Sequence, residues 1–210
     1  TVNTLVLFAY AILAAIFMYM YLGGLKLKKE ARILGSIIFS FGGFSISWME
    51  WGTIVHTALW LPLILLSIDK INESDIFKNS RDRRIHTLLW SGVFIFSLSA
   101  SLFAGHVQSF FYVLLITLLY WGFRWILYRR NRLRRSFSFC IALLITSIIT
   151  FVQWYPTLQL ISFSARDLNA AMWQKGGWFL PWEHLAQFIA PDFFGNPATL
   201  NYWGVWNYAE

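Results

Sequence analysis

Long apolar runs separated by short, mostly basic interruptions dominate the chain, and the runs have the length of a bilayer crossing. A helix rising about 1.5 Å per residue needs roughly 20 apolar residues to traverse the hydrocarbon layer. The pattern predicts six crossings, at residues 2–22, 31–49, 53–68, 85–104, 107–128 and 137–161. The interruptions at 50–52 and 105–106 are short, so the second and third crossings form one predicted helical hairpin and the fourth and fifth another. The expected fold class is all-α: a polytopic transmembrane bundle of about six helices over 1–161, then a Trp-rich loop segment over 162–210.

Two places inside the crossings modify this pattern. Gly42 and Gly43 permit either close approach of a neighbouring helix or a local kink. Pro62, in Trp60-Leu61-Pro62-Leu63, is expected to bend the third crossing, and a kink of that kind can line a cavity. No internal repeat and no low-complexity segment is visible.

Charge sets the expected orientation. Fifteen of the 17 Lys and Arg residues fall in three clusters: Lys26, Lys28, Lys29 and Arg32; Lys70, Lys78, Arg81, Arg83 and Arg84; and Arg124, Arg129, Arg130, Arg132, Arg134 and Arg135. Two crossings separate each cluster from the next, so all three belong on one face, and the positive-inside bias makes that face cytoplasmic. The turns at 50–52 and 105–106 and everything beyond 161 are then extracytoplasmic. That tail holds the two remaining cations, Arg166 and Lys175.

Composition fits the membrane class. Hydrophobic residues make up 58% of the chain and charged ones 13%, against roughly 25% charged in a soluble domain. Mean hydropathy is +0.55. The net charge of +7 does not point to nucleic acid, because the basic residues sit at the ends of spanning segments, where anionic lipid headgroups attract them. Cys140, the single cysteine, excludes an internal disulfide. No cleavable signal peptide is visible, and a chain running from Thr1 to Glu210 reads as an internal piece of a longer protein.

In the tail, Trp173, Trp178, Trp182, Trp203 and Trp206 are crowded among Phe, Tyr, Gly and Pro. Residues 181–189 are expected to form a short interfacial helix with Pro181 in its first turn. Two readings of the indoles stand open: an aromatic belt that anchors the loop at the membrane interface, and an aromatic-lined groove for a sugar or a lipid-linked substrate.

Candidate chemistry gathers at the predicted outer ends. Glu50 and His56 flank the first outer turn, His106 and Gln108 the second, and Gln153 lies near the outer end of the sixth crossing. Arg166, Asp167, Glu183, His184 and Asp192 follow in the tail. Ionisable groups at a membrane boundary need hydration or a partner, so their convergence on one face is a functional signal. No HxxxH, HExxH or paired-cysteine pattern marks a metal site. Phosphate-cradling glycine loops, nucleophile elbows and dinucleotide fingerprints are absent too, and mid-helix charges are essentially absent.

Several segments, in order, resemble the bacterial YfhO-type membrane proteins. These are Ala58-Leu59-Trp60-Leu61-Pro62 after the first outer turn and Ala104-Gly105-His106-Val107-Gln108 at the second. Gln153-Trp154-Tyr155-Pro156-Thr157-Leu158 leading to Ser162, Ser164, Ala165 and Arg166 is similar to that family's Gln-x-x-Pro-Thr and Ser-x-Arg segment. Ala190-Pro191-Asp192-Phe193-Phe194-Gly195 resembles its Pro-Asp-x-x-Gly loop, followed by Trp203-Gly204 through Asn207, Tyr208 and Glu210. Val107 stands where the family commonly has proline.

The resemblance implies a piece of a GT-C-type glycosyltransferase in the bacterial plasma membrane. Such an enzyme takes a sugar from a polyprenyl-phosphate carrier on the extracytoplasmic face and passes it to a cell-envelope polymer such as lipoteichoic acid. Enzymes of that type usually carry a catalytic Asp or Glu in the first outer loop, here expected upstream of residue 1, so the isolated piece should be inactive. Arg166 is assigned to the carrier phosphate, because a guanidinium makes paired hydrogen bonds to phosphate oxygens; a salt bridge to Asp167, Glu183 or Asp192 is its structural alternative. His106 and Gln108 are assigned to orienting the sugar or phosphate, Asp192 to an acceptor or a divalent cation, and His56 and Glu50 complete the substrate-binding set. A different class stays open: a transporter or flippase for lipid-linked glycans, or a non-enzymatic assembly factor. A transporter would place polar residues facing one another inside the membrane.

Overall fold

The computed structural model describes residues 2–49, 52–74, 77, 79–128, 131–163, 181–196 and 199–205. Apart from turns, the described backbone is helical: α1 Val2–Gly24, α2 Lys29–Phe41, α3 Gly43–Trp48, α4 Thr53–Ala58, α5 Leu61–Glu73, α6 Ser80–Phe103, α7 Val107–Leu127, α8 Arg132–Ile149 and α9 Phe151–Ser162, then a 3-10 helix at Trp182–Phe188. Five stretches are long and apolar enough to cross a membrane: Thr4–Gly24, Lys29–Trp48, Thr53–Glu73, Ser80–Phe103 and Val107–Leu127. The broken pair α8 and α9 makes a sixth if counted as one span. By helix length and hydropathy the chain is a candidate multi-pass membrane protein. It divides into two compact units, residues 1–153 and 154–210.

The first unit is built around α5, which packs against α1, α6 and α7, while α8 packs on α6. Ile64, Ile68, Phe94 and Leu98 are among its most buried side chains. Phe139 of α8 lies 5.4 Å from Phe94 and stacks at 4.7 Å on Trp121 of α7. Small hydroxyl residues line the interior and let backbones come close: Ser67, Ser97, Thr117 and Thr146 each donate to the carbonyl four residues earlier, so no interior hydroxyl of this set needs water. On α1, Ala11 and Ala14 face inward, whereas Leu5, Phe8, Ile12, Ile16 and Met20 are exposed. Exposed apolar side chains at helical spacing are what a lipid-facing surface presents.

The helices depart from the predicted crossings mainly at their charged ends. The third, expected to stop at 68, continues to Glu73, held by a Lys70–Glu73 ion pair at 2.7 Å. The fourth, expected from 85, starts at Ser80, where the Asn79 side chain caps the Arg81 N–H at 3.0 Å. Hydropathy measures how much helix the hydrocarbon can hold, and the backbone stays helical beyond it.

Three breaks lie toward the ends opposite the basic clusters. Gly42 adopts an extended conformation (φ −65°, ψ 162°) and separates α2 from α3, so the kink alternative holds there. The expected bend at Pro62 falls instead at Leu59 and Trp60; Pro62 occupies the first turn of α5, where its missing N–H has no helical partner to lose. The crossing expected at 137–161 begins at Arg132 and is interrupted at Thr150. Thr146 and Thr150 both donate back into the preceding turn there, which bends helices.

At the basic end, guanidinium groups lie on aromatic rings. Arg32 sits 3.8 Å from the Tyr19 ring centroid, Arg132 4.4 Å from Trp125, and Arg135 5.6 Å from Tyr128. Arg32 reaches Tyr19 because Gly23 has no side chain: a Cβ there would stand 2.7 Å from its guanidinium. Apolar stem, ring and charged head in sequence are the arrangement of an interfacial anchor.

Replacing Phe94 by Ala removes the fully buried ring against Phe139 and should destabilise the bundle by about 3 kcal/mol. The check is the thermal unfolding midpoint in detergent, and an unshifted midpoint would take Phe94 out of the core.

Candidate functional site

The two turns at the non-basic end are tied together. Ser101 Oγ of α6 donates to the Thr57 carbonyl of α4 at 2.8 Å, with both residues fully buried. Gln153 adds a bond from its amide to the Leu102 carbonyl at 3.2 Å. His56 adjoins Thr57, and His106 follows the α6 C-terminus, so the Ser101 bond carries both histidines to the same end of the first unit.

His106 is the N-cap of α7, reached through Gly105 in the left-handed region at φ 89°. Its Nδ1 accepts from the Ser109 N–H at 3.1 Å. In the neutral ring that bond leaves the proton on Nε2, which makes Nε2 a donor. Gln108 is exposed in the first turn of the same helix. His56 is half-buried, its ring stacked 4.4 Å from Tyr10 of α1 and 6.4 Å from Trp60. These groups can bind hydroxyl or phosphate oxygens. Among the described residues no hydrogen bond joins either histidine to a carboxylate.

Glu50 and Arg166, the other predicted members, lie outside the described residues, as do Trp173, Trp178 and Trp206. Asp192 is exposed in the second unit, in a turn where its carbonyl accepts from the Gly195 N–H at 2.9 Å. Gly195 has φ 82°, and a Cβ there would collide with the Asn201 carbonyl, so the turn requires glycine. His184 is buried against Phe194 at 4.8 Å with Tyr202 edge-on, an interior residue of that unit. The helix expected at 181–189 is a 3-10 helix, and Pro181 precedes it as the N-cap (φ −61°, ψ 149°) instead of lying in its first turn. Trp182 on it and Trp203 are both exposed, at 83% and 65%, and Trp203 lies edge-on to Phe194 at 4.9 Å.

A cavity of about 350 Å³ opens beside the break between α2 and α3, lined by Ala14, Ile38, Phe39, Gly43, Val55 and Leu59 among others. Its polar lining residue, Ser45, is engaged with the Phe39 carbonyl at 2.8 Å. The walls suit hydrocarbon and offer no acid, base or nucleophile. Among the described residues no three His, Cys, Asp or Glu side chains group as metal ligands.

Among the described residues mid-helix charges are essentially absent, as expected, but one charged pair is buried near the basic ends of its helices, with Arg124 in the last turn of α7. Asp69 of α5 is 3% exposed and pairs with Arg124 of α7, while Tyr120 donates to the same carboxylate. The sequence pattern sets Asp69 just past the third crossing and groups Arg124 with the third cytoplasmic basic cluster. The available signal was a lone acid closing the apolar run 61–68, at a depth matching that of Arg124 on the fifth crossing.

The chain matches no protein-family model, no curated protein and no solved structure.

If His106 serves the backbone as a cap, His106→Ala should destabilise by about 1 kcal/mol while His106→Asn, itself a good cap, stays within a few tenths. Thermal unfolding of the two variants side by side separates them, and equal midpoints would remove the capping role.

Proposed function

We propose that this chain is a piece of a YfhO-type membrane glycosyltransferase. It would hold a polyprenyl-phosphate-linked sugar at the extracytoplasmic ends of its helices for transfer to a cell-envelope polymer. The observation that carries the reading is the Ser101–Thr57 hydrogen bond, because it gathers the two polar turns, with His56, His106 and Gln108, at one end of the bundle. The ordered motif resemblance supplies the substrate class. A donor at His106 Nε2 and the Gln108 amide suit phosphate or hydroxyl oxygens, and Arg166 and Asp192 are assigned to the phosphate and to the acceptor or a divalent cation. The catalytic carboxylate would come from sequence upstream, and the three basic clusters would face the cytoplasm.

The alternative is a transporter or flippase for the same lipid-linked glycans, resting on the same helices and outer polar residues.

Both readings meet the same assay. Membranes containing the complete parent protein are given a labelled polyprenyl-phosphate sugar, with empty membranes as control. Label passing to envelope polymer is the expected result; label that changes leaflet with the sugar still attached to its carrier would sink the transferase.

In the complete protein, Arg166→Ala should lower transfer at least about 100-fold without loss of insertion, the usual scale for removing one charge-stabilising donor. His106→Asn, which keeps the cap, should lower transfer while leaving the unfolding midpoint in place. Full turnover in either variant would remove that residue from the site.

A further inference from the structure

Asp69 joins three helices at the basic end of the bundle. Its Oδ2 accepts from Arg124 Nη2 at 2.6 Å and from the Tyr120 hydroxyl at 2.8 Å. Arg124 Nε lies 2.6 Å from Oδ1 as an ion-pair contact, while its N–H is directed to the Tyr120 oxygen at 3.1 Å. Tyr21 of α1 closes the set by donating to the Tyr120 oxygen at 3.3 Å. One network therefore ties α1, α5 and α7, and the adjoining α5 residues Ser67, Ile68, Ile71 and Asn72 are all buried.

A carboxylate among apolar helices is tolerated in its ionised form only beside its guanidinium, and separating the two leaves a pair of uncompensated charges. The helix breaks point the same way, because Gly42, Leu59–Trp60 and Thr150 all lie away from this end. We propose that the Asp69–Arg124–Tyr120–Tyr21 network is a permanent latch. It holds α1, α5 and α7 closed at the basic end, and any opening of this bundle happens at the opposite end. The latch does not depend on which reaction the protein serves. It does exclude alternating access through the basic end.

Accessibility of a buried thiol tests this without any activity assay. Cys140, which is exposed, is replaced by Ser, and Ser67→Cys is introduced where the native hydroxyl is fully buried. Exposed Ser80→Cys serves as the control that marks the basic side, and a membrane-impermeant maleimide is applied to sealed vesicles from that side. A broken buried pair corresponds to an open population below about one in a hundred, so Ser67→Cys should react at least about 100-fold more slowly than the control.

Adding Asp69→Asn should raise that rate about tenfold or more, and combining it with Arg124→Gln should bring the rate back toward the parent value. Where Asp69→Asn fails to insert, Tyr120→Phe replaces it, with a smaller rise expected. Labelling of Ser67→Cys at the control rate in the otherwise unchanged protein would overturn the latch. So would protection that persists unchanged in the variant that inserts, because packing alone would then be closing that end.

Discussion

Between Pro62 and Asn72 every side chain of α5 is buried except the half-buried Leu65 and Lys70, which leaves this helix almost no surface for lipid. A helix enclosed in that way must find a partner for each polar group among its neighbours, since neither water nor hydrocarbon is at hand to supply one. Ser67 turns its hydroxyl onto its own helix, and Asp69 takes its partners from α7. The choice of α1, α6 and α7 as neighbours follows: two supply the tyrosines and the guanidinium, and α6 supplies Phe94 and Leu98 as apolar filling. The peripheral helices are then free to be lipid-facing, as the exposed row on α1 illustrates.

The two ends of the bundle are built by different means. At the basic end, charge is matched to charge and guanidinium to ring, contacts with strict geometry and little tolerance for displacement. At the other end the ties are hydrogen bonds between neutral groups: a serine of α6 on a carbonyl of α4, a histidine capping its own helix, a glutamine amide on the last turn of α6. Helices that break near Gly42 and Thr150 have their longer regular lengths toward the charged end. Polar side chains that bind without being locked in place are better suited to meeting a ligand, which is where the functional reading puts it.

Much of this was written in the apolar runs, because burying or exposing a side chain to lipid selects the same residue types and leaves the same long pattern. The helix ends were less legible. Glu73 and Ser80 belong to helices through an ion pair and an asparagine cap, contacts that hydropathy does not count. The Asp69–Arg124 pair was legible only as two charges at matching depth on their crossings, since its partners are 55 residues apart and packing brings them into contact. The same limit applies to His56, whose stacking on Tyr10 depends on α1 lying beside α4. His106 was legible as a polar group at a turn, where a histidine more often satisfies nearby backbone than acts in chemistry, and Gly105 with the first-turn serine fixes which N–H it serves.

The packing of Arg32 into the space beside Gly23 couples those two positions. A Cβ at 23 would require the flexible end of the guanidinium to shift, and without the arginine the glycine has nothing there to accommodate. Sequences that diverge from this one should therefore favour a small residue at 23 wherever the arginine is kept, a correlation between neighbouring helices that would reveal their pairing with no coordinates at all.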